Sequence, residues 1–130
     1  MGLAYKHSNS ARLNGMHFAD SNYEDLANAI VVQAAEDYRD AIRFIRNHPK
    51  ETLEKIVELQ RWKRDILIEM KQPLGELHHL TQEEKEYEAI LAQETIRDEC
   101  AEFFLSSWFE ILTNLNGEVF FKKLKEECRS

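Results

Sequence analysis

Hydrophobic and polar positions alternate along most of this chain with the period of a helix. Leu26, Ile30, Ala34, Tyr38, Ala41 and Ile45 recur at steps of four and three, which places them on one helix face. Arg39, Asp40, Arg43 and Arg46 fall off that stripe and are assigned to water. The run Ser21-Asn22-Tyr23-Glu24 has the form of a capping box, with the serine oxygen and the glutamate each satisfying a free amide. Asn47-His48-Pro49 ends this first helix, because a residue before proline disfavours helical backbone.

A second helix is predicted from just after Pro49 to about Lys71. Its apolar residues (Leu53, Ile56, Val57, Leu59, Trp62, Ile66, Leu67, Met70) cover more than one narrow stripe. Such a helix packs on two neighbours or presents part of its surface to a partner. Gln72-Pro73-Leu74-Gly75 stops it. A second capping box, Thr81-Gln82-Glu83-Glu84, opens a third helix carrying Tyr87, Ile90, Leu91, Ile96, Cys100, Phe103 and Phe104. A short helical piece follows around Trp108–Thr113, then a last helix over about 118–127 that packs Phe120, Phe121 and Leu124. Asn116-Gly117 between them is a turn signal that also suits a hairpin, but its flanks keep helical spacing.

Residues 1–20 show no periodicity and are rich in Ser, Asn and Gly, the composition of a flexible arm. There is no heptad run, internal repeat or low-complexity tract. The expected fold is all-α: a four- to five-helix bundle built on a long antiparallel helical hairpin. A flexible N-terminal arm (1–21) precedes a single helical domain (22–130).

Composition agrees with that pattern. In 130 residues, 43% hydrophobic and 32% charged, there are only four glycines and two prolines, so the chain is globular and poor in turns. No apolar run approaches the roughly 18–20 residues of a membrane span, and the N-terminus lacks the apolar core of a secretory signal. Two cysteines, Cys100 and Cys128, do not make a disulfide framework, which favours a reduced, cytoplasmic setting.

Charge changes the picture more than composition does. Of the net −7, residues 81–102 contribute −6, with eight acids (Glu83, Glu84, Glu86, Glu88, Glu94, Asp98, Glu99, Glu102) against Lys85 and Arg97. Duplex binding depends largely on cations against phosphate, which argues against nucleic acid as a partner for that segment. Carboxylates along a helix are usually a solvated face. The sharper reading is that Glu83, Glu84, Glu86, Glu88 and Glu94 engage a basic groove in place of phosphates.

The chemistry-bearing residues form no catalytic constellation. His78 and His79 lie near Glu83 and Glu84, but neither a zincin spacing nor paired Glu-x-x-His motifs are present, so no metal and no cofactor are assigned. Cys100 reads as a core residue. Cys128 has only His48 as a remote partner, and Ser106 and Ser107 lack a nucleophile elbow. Phe103, Phe104, Trp108, Phe109, Phe120 and Phe121 read first as a core where three helices meet. Trp62, Trp108 and Phe109 are the candidate aromatic anchors for a partner. Lys122, Lys123, Lys125 and Arg129 give the last helix a basic side, offset by Glu118, Glu126 and Glu127.

Two stretches, residues 29–49 and 102–127, carry Tyr38-Arg39, Ala41 and Pro49, then Phe103-Phe104, Ser107-Trp108-Phe109, Leu112-Thr113 and Gly117-Glu118. On these features the chain resembles a family of short helical proteins of unknown function, encoded by phages and integrated mobile elements of Gram-positive bacteria. In that family the two ends are joined more closely, so residues 59–95 look like an extension. The resemblance brings no activity and no site residue; it implies a phage or mobile-element accessory protein.

The expected function is therefore non-enzymatic. The first reading is an acidic inhibitor of a host nucleic-acid-handling defence enzyme, of the anti-CRISPR kind, whose partner is a nuclease with a basic channel. The second is a phage structural or regulatory protein that self-associates or binds nucleic acid through its C-terminal helix.

Overall fold

The computed structural model describes the backbone of residues 20–129 and the side chains of 23–129; residues 1–19 of the expected arm, and the Ser21 side chain of the first capping box, lie outside this range. Five α-helices follow in order: α1 (Asp20–Arg46), α2 (Lys50–Glu69), α3 (Gln82–Phe104), α4 (Ser107–Thr113) and α5 (Gly117–Arg129). A 3-10 turn, Gly75–His78, sits between α2 and α3 where the sequence suggested only loop. No strand occurs among the described residues, so the class is all-α. Packing separates into two compact units: Phe44–Glu94, and the remainder up to Arg43 together with Thr95 onward.

In the unit formed by the two chain ends, the α1 stripe becomes the core. Ala27, Ile30, Ala34 and Tyr38 are buried in one cluster with Cys100, Phe103 and Phe104 of α3, Phe109 and Leu112 of α4, and Phe121 and Leu124 of α5. Aromatic rings set its geometry. Tyr38 meets Phe121 edge-on at 5.3 Å, and Phe104 meets Phe109 edge-on at 5.8 Å, the arrangement the ring quadrupoles favour. Each fully buried ring contributes about 2–3 kcal/mol through removal from water. Arg39, assigned to water, reaches Glu127 at 2.8 Å in a surface ion pair.

Local chemistry explains the helix ends in this unit. Ser106 caps α4 by accepting from the Phe109 amide at 3.3 Å. Asn116 caps α5 by accepting from the Val119 amide at 3.1 Å, so Asn116-Gly117 is a helix start and not a hairpin. Gly117 is buried, and a Cβ there would fall on the carbonyl oxygen of Phe104. The start of α5 can approach the end of α3 only because this residue has no side chain.

In the other unit, α2 and the first half of α3 make an antiparallel hairpin, closed by Leu53, Val57 and Ile90. Lys50 Nζ reaches both carboxylate oxygens of Glu94 at 2.9 and 2.8 Å, and Tyr87 donates to Glu54 at 2.9 Å. α2 ends in a Schellman motif: the Gln72 amide donates to Leu67 O at 2.9 Å and the Lys71 amide to Ile68 O at 3.1 Å. Lys71 occupies the left-handed position at φ 55°, which normally falls to glycine.

Two substitutions test these constraints by thermal denaturation. Gly117→Ala is expected to destabilise the chain-end unit by about 2 kcal/mol or more, because backbone must move to admit the methyl group. Lys71→Gly is expected to raise the stability of the hairpin unit by about 0.5–1 kcal/mol by relieving the left-handed strain.

Candidate functional site

The most polar interior point of the hairpin unit is built on the second capping box. Thr81 Oγ1 accepts from the Glu84 amide at 3.1 Å, while Glu84 Oε1 accepts from the Thr81 amide at 3.0 Å. Both halves of the motif form, as the Thr-x-x-Glu spacing predicts. The same glutamate is 1% exposed and takes two bonds from Arg64, Nη2 to Oε1 at 2.6 Å and Nη1 to Oε2 at 3.0 Å. Arg64 Nε donates to Leu77 O at 2.7 Å, which ties the 3-10 turn into the same node. Thr81 also donates to Gln60, and Gln60 donates to Glu83 at 2.9 Å.

A buried carboxylate is tolerated only when its charge is matched and its oxygens are satisfied. Here the Arg64 guanidinium does most of that work. Its hydrogen bonds hold the Glu84 carboxyl at about 2, against desolvation that pushes the other way, and the Thr81 amide adds to the effect.

This geometry redistributes the acids that the sequence assigned to one partner-binding face. Glu84 is buried and committed to Arg64, so it is not presented at all. Glu83 is half-buried and held by Gln60; Glu94 is held by Lys50. Glu86 is half-buried, and among the five only Glu88 stands exposed. Their spacings scatter around the α3 axis, because neighbours in sequence are about 100° apart on a helix. Among the described residues no group of three His, Cys, Asp or Glu side chains is placed to hold a metal ion. His78 and His79 are exposed with their rings edge to face at 4.8 Å, and the His48 ring stacks on Phe44.

The aromatic anchors divide sharply. Phe109 is fully buried and Trp108 packs half-buried against the same cluster, so both belong to the core. Trp62 is different: it is 63% exposed. Around it stand Leu59 at 63% and Ile56 at 39% on α2, with Ile66 half-buried, and Met70 at 61% at the helix cap. Burying Leu53 and Val57 and turning Arg64 inward directs Leu59, Ile66 and Met70 to the opposite side of the helix. The second apolar face legible in α2 is thus the one left open.

The rim of this face is charged. Glu51, Glu58 and Asp65 recur every seven residues, Glu69 follows four later, and all are exposed without a hydrogen bond or ion pair among the described residues. Lys55 and Lys63 lie within the face itself. Beside it runs an open groove of about 770 Å³ that includes Gln60, Lys63, Leu67, Leu77 and Glu83 in its walls. The Thr81 hydroxyl in its wall is committed to Gln60, to which it donates at 2.6 Å.

No protein-family model matches the sequence, and no curated protein and no solved structure matches it.

The Arg64–Glu84 node predicts a specific acid sensitivity. With the Glu84 carboxyl held near 2, below its ordinary 4.5, its stabilising contribution is complete above pH about 4.5 and drains as pH falls towards about 2. Arg64→Ala leaves the carboxylate buried without its cation. Urea unfolding at neutral pH should show a loss of about 3–5 kcal/mol for the hairpin unit. Over the same acid range, the variant should lose less further stability than the parent chain.

Proposed function

We propose that this chain acts by binding another protein and not by catalysis, and that the outward face of α2 is its docking surface. The observation that carries the reading is Trp62, a large aromatic side chain left 63% exposed at the middle of an apolar helix face. Tryptophan in such a place is the residue most enriched among interface anchors. Contiguous exposed apolar surface is uncommon on a chain with no further role for it.

The rim chemistry indicates the kind of surface that fits. Glu51, Glu58, Asp65 and Glu69 beside Trp62 suit a pocket with an apolar floor and Lys or Arg at its edge. A nucleic-acid-handling enzyme carries basic surface of that kind. The resemblance to phage-encoded helical proteins and the net charge of −7 support an antagonist of such an enzyme in a bacterial host, of the anti-CRISPR kind. The acidic contribution then comes from α2, with Glu88 the exposed member of the set first assigned to α3.

Inhibition assays on purified nucleic-acid-handling enzymes of a Gram-positive host, RNA-guided nucleases included, test this directly. The parent chain is expected to inhibit at least one. Trp62→Ala should weaken that inhibition by about tenfold or more while leaving stability within about 0.5 kcal/mol. Inhibition indifferent to Trp62, or no inhibition across the panel, would sink the antagonist role.

A further inference from the structure

We infer that the outward face of α2 pairs with the same face of a second copy of the chain, the two helices running antiparallel about a two-fold axis beside Trp62. This rests on α2 being a docking surface and names its resting occupant. A heterologous partner would then have to displace the second copy.

Spacing along α2 defines the face. Thr52, Ile56, Leu59, Lys63, Ile66 and Met70 follow one another at steps of four and three over fewer than three heptads, too short for a coiled-coil run but enough for a single stripe along α2 to its cap residue Met70. Among the described residues nothing covers Leu59, Trp62 or Met70. When the stripe is laid against itself in the reverse direction, Ile56 meets Ile66 of the second copy. Leu59 meets the aliphatic stem of Lys63, and Thr52 meets Met70. Two-fold symmetry repeats each of these contacts, as an isologous interface requires.

Charge selects the direction. Lys55, Trp62 and Glu69 flank the stripe at steps of seven. Antiparallel pairing brings Lys55 of each copy beside Glu69 of the other and places the two Trp62 rings side by side at the axis. Both Lys55 and Glu69 are exposed and make no ion pair among the described residues, so each is available for this contact. A parallel pairing would instead set Lys63 against Lys63. A single lysine inside an apolar stripe is a known device for fixing register at some cost in affinity. At 20 residues, α2 is about 30 Å long. Such a contact lies at the small end of specific interfaces, so dissociation in the micromolar range is expected.

Analytical ultracentrifugation of the full chain and three variants tests the pairing, with thermal melts confirming that each variant folds. The parent chain should be dimeric at roughly 100 µM and dissociate on dilution. Lys55→Glu and Glu69→Lys should each weaken association by about tenfold, since each turns two symmetric attractions into repulsions. The double variant should recover the parent's behaviour, which an unspecific loss of surface charge would not produce. A monomer at roughly 1 mM, or a dimer indifferent to both single reversals, overturns the inference. If the chain is monomeric while Trp62→Ala still abolishes inhibition, the second copy is excluded and α2 remains a docking face. If the charge swap behaves as described but Trp62 is dispensable for inhibition, self-association stands and the antagonist role falls.

Discussion

A carboxylate buried to 1% exposure must be matched, and matching Glu84 organises the hairpin unit. The match comes from Arg64, twenty residues earlier, so the pair sets how α2 and the start of α3 lie along each other. The same carboxylate completes the capping box with Thr81 and so settles where α3 begins. Through Nε, Arg64 also holds the 3-10 turn at Leu77. One ion pair thereby fixes a helix start, a hairpin register and a connecting turn.

The outward face of α2 follows from the same constraint. A helix has one angular position per residue, so directing Arg64, Leu53 and Val57 inward commits Leu59, Ile66 and Met70 to the other side. In the chain-end unit the constraint is steric instead. Phe103 and Phe104 each meet Phe109 edge to face, Phe121 stacks on Phe104, and Gly117 gives α5 the room to reach them. That unit buries most of its large aromatics, whereas the hairpin unit leaves its one tryptophan at the surface. The contrast puts the large exposed aromatic of the described residues in the hairpin unit.

Much of the local structure was legible in the residues. The period of Ile30, Ala34 and Tyr38, the break at Pro49, the Thr81–Glu84 box and a last helix beginning near Glu118 are short-range effects, decided by sterics and by hydrogen bonds within a few residues. The acid-rich stretch was legible as charge but misleading as a surface. Summed charge says nothing about which carboxylates find a cation across the hairpin, and Glu84 and Glu94 both do.

Local residue order dictates the α-helices, most of their ends, and an α2 whose apolar positions spread beyond one narrow stripe. Packing between distant segments settles which side of α2 is covered, and which of Trp62, Trp108 and Phe109 remains outside. Periodicity states which residues share a side of a helix. Which side is buried depends on partners distant in the chain: Arg64 turned inward because Glu84 lay there, and Trp62 stayed in water as a consequence.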